Sequence, residues 1–202
     1  MRIVQLIQAK RLPLWVMLAW PPLLAIILFA TSGSFLVVNQ PEKADLIVVL
    51  AGETEVRPER GLELLRKHYA PEMLLNVPAD AAIYGENVFA LARNYVGKLP
   101  ESQSIRLCPI FGLSTKTETK DVYNCIRSQS VHSLLVVSSD FHTRRARMTF
   151  RREFPGYRVS VAAASDAREF GSAWWKHRQW AKNNLGEWLR LLWWELVEGW
   201  AR

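Results

Sequence analysis

SLLVVSSDFHTRRARMTFRR, residues Ser133–Arg152, changes character twice within one short stretch. Leu134–Val137 is an apolar run, rich in β-branched side chains, with the length of a buried strand. It breaks into Ser138-Ser139-Asp140, passes His142 and opens a segment dense in arginine. Across Thr143–Phe150 the spacing suits a helix, with Ala146 and Phe150 on one face. The small polar and ionisable residues thus fall between the carboxyl end of a strand and the start of a helix. In open parallel α/β sheets ligands bind at that edge, where unpaired helix N–H groups and a partial positive charge favour anions.

The same alternation runs outward in both directions. Ala44–Leu50 predicts a first buried strand, followed by the turn Ala51-Gly52-Glu53 and a helix over Arg57–Tyr69. Met73–Val77 and Ile105–Ile110 predict further strands, each paired with a helical segment, Asn87–Val96 and Thr115–Gln129. A fifth strand is expected at Tyr157–Ala163, after the arginine helix. Repeated strand–helix alternation predicts an α/β fold: a three-layer, Rossmann-like parallel sheet of about five strands with helices on both faces. Right-handed crossovers then gather all strand-to-helix loops on one edge.

Lys and Arg number 26 against 19 Asp and Glu, a net charge of +7, and there are nine Trp among 202 residues. A basic, Trp-rich chain fits nucleic acid or a membrane interface, while the plainer reading is a solubilising surface. The N-terminus favours the membrane. No charged residue occurs from Leu12 to Pro41, and Leu14–Val38 is mostly apolar, longer than the roughly 20 residues that cross a bilayer. Arg2, Lys10 and Arg11 precede this run, which predicts a cytoplasmic N-terminus and an exported remainder, periplasmic in a bacterium. A signal peptide cut after the small residues Ala30 and Ser32 is the competing reading; the apolar run continues beyond them and favours a retained anchor. The expected organisation is residues 1–41 as basic tip and transmembrane helix, passing the inner membrane once, and 42–202 as the α/β domain. Export, and the lack of any recognition motif, argue against nucleic acid.

Cys108 and Cys125 make no metal-ligand pattern, and no metal site is expected. An oxidising compartment would permit a bridge, but one cysteine sits in a strand-like and the other in a helix-like segment, and two separate buried thiols are expected. The tail Ser172–Arg202 is helix-like, with an apolar stripe of Leu185, Trp188, Leu189, Leu192 and Leu196. It either covers the sheet or makes a second contact with membrane lipid.

Four strand ends should converge on one edge. They bring Gly52, Glu53 and Arg57; Asn76 to Asp80; Ser114, Thr115 and Glu118; and Ser138, Ser139, Asp140, His142 and Arg145. Arg57 and Arg145 at helix starts, with hydroxyls and N–H groups, would hold a phosphate or carboxylate. Asp140 and His142 are the candidate catalytic pair, the carboxylate orienting the imidazole. The plainer readings make Ser139 or Asp140 a helix cap, His142 a structural histidine, and Arg144, Arg147 and Arg151 a solvated face.

This constellation resembles the YdcF-like family. Ala44-Asp45-Leu46-Ile47-Val48-Val49-Leu50-Ala51-Gly52 is similar to the family's opening strand, and Arg57 with Ala70-Pro71 to the helix that follows. Ser114-Thr115 with Glu118, and Val137-Ser138-Ser139-Asp140-Phe141-His142-Thr143-Arg144-Arg145-Ala146, resemble its two later blocks. Trp174-Trp175, Glu187 and Leu191-Leu192 resemble its tail. The resemblance implies a Rossmann-like domain, often on an N-terminal membrane helix, serving bacterial envelope integrity or lipid-carrier metabolism. One branch is known to bind S-adenosylmethionine; here Asn76-Val77-Pro78 replaces the usual Ser-Gly, and Pro78 offers no N–H to such a cofactor. No cofactor is assigned. The expected function is binding of a phosphorylated, lipid-linked small molecule in the envelope, with hydrolysis or transfer at a phosphoryl or acyl centre if the chain is an enzyme. The alternative is a non-catalytic, membrane-tethered scaffold whose arginine helix and Trp tail dock protein or anionic lipid.

Overall fold

The computed structural model describes residues 14–112 and 114–198, with side chains from Trp20 onward. Helix α1 spans Leu14–Leu36 and carries Pro21 and Pro22. Its side chains from Trp20 to Phe29 are exposed and mostly apolar. Among the described residues no helix is long and apolar enough to cross a membrane, so the expected transmembrane helix is not found there. Its basic flank, Arg2, Lys10 and Arg11, lies outside the described residues.

The chain divides into two units after Ser32. The α/β unit therefore begins at Gly33 rather than at residue 42, for a packing reason. Leu36 and Val38 are buried, the Val38 N–H donates to Thr143 Oγ1 at 2.7 Å, and Gln40 bridges antiparallel to Val161. This segment is the sheet's first tie, not a linker.

Strands β1 (Leu46–Val49), β2 (Glu72–Pro78), β5 (Ile105–Ile110), β6 (Ser133–Ser139) and β7 (Arg158–Ala164) form one sheet in the order β5-β2-β1-β6-β7. Every pairing is parallel. Central strands β1 and β6 read as unbroken apolar runs because both their faces are buried. Helices α2 (Val56–Arg66) and α3 (Val88–Gly97) cover one face, sharing a core with Ile47, Val49, Met73 and Val137. Helices α4 (Thr115–Ile126) and α5 (Thr143–Glu153) cover the other, packing Val122, Ile126 and Phe150 on Val48, Leu74 and Val136. The result is a three-layer, Rossmann-like α/β fold with the expected five strands. At the amino edge the Asp45 carboxylate accepts from the N–H groups of His132 and Ser133 and from Ser133 Oγ, clamping β1 to β6.

A short antiparallel hairpin, β3 (Ala82–Ile83) and β4 (Glu86–Asn87), was not expected. Its turn uses positive φ at both Tyr84 and Gly85, the geometry that matches hairpin twist.

Cys108 and Cys125 are joined in a disulfide, correcting the expectation of two free thiols. Helix α4 folds back over β5, the strand that precedes it, and brings the two Cα atoms to 6.1 Å, within bridging range.

The tail holds the largest departure. Helix α6 (Arg178–Trp193) buries Asn184, Glu187 and Leu191. Of the two readings of the apolar stripe, cover for the sheet is not what forms: Leu185, Leu189, Leu192 and Leu196 are exposed. Only Trp188 of that stripe finds a ring, stacking on Phe35 with centroids 5.2 Å apart.

Candidate functional site

The strand order reverses between β1 and β6, since β1 leads through α2 to β2 on one side while β6 lies on the other. At such a switch point the outgoing loops part and leave a crevice at the carboxyl edge. A cleft of about 940 Å³ opens there. Gly52, Arg57, Ser114, Thr115, Glu118, His142 and Arg145 line it together with Pro78 and Asp80, so all four expected strand ends meet around it.

Arg57 stands in the crevice. Its Nε donates to Ser139 Oγ at 3.0 Å, and its Nη1 donates to the carbonyls of Leu50, at 3.3 Å, and of Ala51. One guanidinium thus ties the β1 loop to the β6 loop. No carboxylate pairs with it, and Nη2 has no hydrogen-bond partner among the described residues. Burial depresses the Arg57 pKa, partly offset by the fields of Glu118 and Glu53. Gly52 adopts φ +120°, and a Cβ there would sit 3.3 Å from Arg57 Nη1; glycine lets the loop wrap the guanidinium.

Glu118 works from the α4 side. Its Oε1 accepts from the Ala51 N–H and from Asn76 Nδ2, both at 2.8 Å. Burial pushes its pKa up despite those bonds. Ser114 caps α4: its Oγ accepts from the Thr117 N–H while Thr117 Oγ1 accepts from the Ser114 N–H. The exposed start of α4, with Thr115 and Lys116 on the cleft wall, is an electropositive end.

Arg145 is bound otherwise. Nε and Nη2 donate to the two oxygens of Glu187 at 2.9 and 3.0 Å, and Nη1 donates to Thr115 Oγ1 at 2.8 Å. Arg190 Nη1 adds a contact to Glu187 at 2.8 Å. Burial alone would raise the Glu187 pKa, but His142 and the bidentate Arg145 outweigh it and hold the carboxyl well below the usual carboxylate range. Three of the five Arg145 N–H donors are thus engaged within the protein, as many as in Arg57, and Arg145 differs in facing a carboxylate. Glu187 was missed among the site residues. Its signal was a lone carboxylate within an otherwise apolar and basic helix.

His142 is also partnered differently from expectation. Its Nδ1 faces Glu187 Oε2 at 3.5 Å and its Nε2 faces Thr115 Oγ1 at 3.4 Å. Burial lowers its pKa to about 4, despite the contact with Glu187, and the fields of Arg145 and Arg57 lower it too. The imidazole is neutral at neutral pH. Asp140 does not orient it. Its carboxylate accepts from the Phe141 N–H at 2.8 Å and from Ser165, and burial raises its pKa to about 6.

Four expected site residues stay outside the cleft wall: Glu53, Ser138, Ser139 and Asp140. Glu53 Oε2 accepts from the Arg57 N–H at 2.7 Å and fixes the start of α2. Ser139 acts through Arg57. Ser138 is buried with its Oγ unpartnered among the described residues. Phe111, Leu189, Trp193 and Trp194 form an apolar part of the cleft's rim, with Arg190 beside them. Among the described residues no group of three or more His, Cys, Asp or Glu could hold a metal ion.

The fold and this site define a Rossmann-like α/β protein with a cationic cleft at its switch point. No protein-family model matches the chain, and no curated protein and no solved structure is detectably similar to it.

Proposed function

We propose that this chain is a membrane-anchored, extracytoplasmic protein of the bacterial envelope that binds a phosphorylated, lipid-linked small molecule. One observation carries the reading: the cleft has a cationic floor and a partly apolar rim. Arg57, Lys116 and the start of α4 supply positive potential, while Phe111, Leu189, Trp193 and Trp194 supply a wall for hydrocarbon. A free sugar phosphate would leave that rim unused. The outward stripe of α6 extends the rim as Leu185, Leu192 and Leu196, which suits a protein working beside lipid.

Export is supported by the Cys108–Cys125 bridge, since disulfides persist in oxidising compartments. Anchorage is supported by the uncharged run from Leu12 to Pro41 and by the exposed apolar side chains of α1. The similarity to YdcF-like sequences points to the same envelope setting. The scaffold alternative is less favoured because Arg144, Arg151 and Arg152 of the arginine helix make contacts within the domain. Arg144 lies 3.8 Å over the Phe35 ring, Arg152 lies 5.5 Å over Trp194, and Arg151 donates to the Val159 carbonyl.

Thermal unfolding of the full chain in detergent tests the reading, with farnesyl monophosphate, farnesol and inorganic phosphate as probes. Farnesyl monophosphate is expected to raise the midpoint, farnesol and phosphate far less at equal concentration, because only the first fills both floor and rim. Equal shifts with farnesol would remove the anion from the account, and equal shifts with phosphate would remove the lipid.

A further inference from the structure

Thr115, His142 and Glu187 form a chain of contacts on the cleft wall that anion binding alone does not require. Thr115 Oγ1 accepts a hydrogen bond from Arg145 Nη1 at 2.8 Å. Arginine has no acceptor, so the Thr115 hydroxyl proton must point elsewhere, and the nearest lone pair is His142 Nε2 at 3.4 Å. The Glu187 carboxylate facing Nδ1 favours the tautomer that accepts this proton. Nε2 is bare, the proton sits on Nδ1, and Nδ1 faces the Glu187 carboxylate at 3.5 Å. His142 Nδ1 has no shorter hydrogen bond and is buried, so the triad is loose in the empty cleft, as unliganded catalytic contacts often are.

We infer that Thr115 is a nucleophile, with His142 as its general base and Glu187 as the positioning carboxylate, acting on the phosphoryl centre of the anion taken by this cleft. The inference rests on the proposed phosphate ligand for its substrate class, but not for the activation of Thr115. In the first step Thr115 Oγ1 forms a bond to phosphorus. The bond from phosphorus to the leaving oxygen breaks with its electron pair, and the threonine proton passes to His142 Nε2 and on to that oxygen. In the second step water attacks the phosphothreonine. His142 takes the water proton and returns it to Thr115 Oγ1 as the threonine–phosphorus bond breaks, releasing phosphate. Arg145 Nη1 stabilises the oxyanion of Thr115 in both steps. Glu187 holds Nδ1 protonated and Arg145 in place, without touching the reacting atoms. A neutral imidazole supplies the bare Nε2 that the first step needs, and burial keeps His142 neutral.

An alkyl fluorophosphonate tests activation without needing an anion site, since the probe is uncharged and phosphonylates activated hydroxyls. The full chain in detergent is treated with it and digested, and the adduct is located by mass spectrometry. The adduct is expected on Thr115, retained in Thr115→Ser and absent in Thr115→Val. His142→Gln is expected to lower the labelling rate about 100-fold or more. Glu187→Gln is expected to move the acid limb of the labelling rate to lower pH, because the anion that favours a protonated imidazole is gone while Arg145 and Arg57 remain. A merely structural Glu187 would lower the rate without moving that limb. Absence of a Thr115 adduct from the wild-type chain, or labelling unchanged by His142→Gln, overturns the assignment. A chain that shifts its unfolding with farnesyl monophosphate but takes no label keeps the binding reading and loses this one; the converse keeps the nucleophile and loses the ligand.

Discussion

Arg57 and Arg145 hold matching places in the topology, one in the helix after β1 and the other in the helix after β6, and burial has been met in opposite ways. Arg145 faces a carboxylate and forms a two-pronged ion pair with Glu187. Arg57 faces two carbonyls and a serine hydroxyl, none of which carries charge. The first arrangement cancels a cation locally; the second leaves Nη2 without a hydrogen-bond partner among the described residues and the positive charge uncancelled in the crevice. Two arginines in one cleft can thus do different work, and the partner rather than the residue type decides which one is available to a ligand.

Removing the cancelling carboxylate should give the largest effect. Glu187→Leu leaves the partly buried Arg145 without its carboxylate and is expected to cost about 2–3 kcal/mol, read by urea unfolding of the full chain. The double variant Glu187→Leu with Arg145→Leu should recover much of that loss. If both single substitutions cost under about 1 kcal/mol, the pair is not the structural half of the comparison.

The pH dependence of stability is a smaller lever with two opposing parts. His142 has its pKa depressed from 6.5 to about 4. Between those values the unfolded chain binds a proton that the native imidazole does not, so stability falls as pH drops through the window. Asp140 is raised from 3.8 to about 6, so over that range the native carboxyl holds a proton the unfolded one has lost, and stability rises as pH falls. Asp140→Asn removes the second part. That variant is expected to lose about 2 kcal/mol between pH 7 and pH 5, more than the wild type. A slope no steeper than the wild type's would mean that the Asp140 pKa is not raised, and a loss well under that in the variant would mean that His142 titrates normally.

These contrasts also mark how far the sequence reaches. The strands were legible because Leu46–Val49 and Leu134–Val137 are buried on both faces and so read as unbroken apolar runs. Arg57 was legible because a cation just after a strand-end glycine has few structural uses. Its mode of binding was not, since carbonyls leave no trace in a sequence. The Glu187 pair was hidden because the apolar pattern of α6 left open which face is buried. Apolar periodicity predicts the buried face of α6, whereas this helix buries Asn184, Glu187 and Leu191 and exposes its leucines. Amphipathicity tells which face is apolar, not which solvent it meets. The hairpin at Ala82–Asn87 escaped for a simpler reason: its strands are two residues long and fully exposed. The disulfide joins a strand to the helix that follows it, a proximity that only the crossover creates.

The claim at the centre is that Arg57, rather than Arg145, is the buried guanidinium of the cleft with no carboxylate partner among the described residues. Binding of farnesyl monophosphate to the full chain by titration calorimetry tests it directly, comparing wild type with Arg57→Gln and Arg57→Lys, each checked for folding by circular dichroism. Arg57→Gln is expected to weaken binding about tenfold or more, with Arg57→Lys recovering part of it through its retained charge. Wild-type affinity in a folded Arg57→Gln chain would contradict the account.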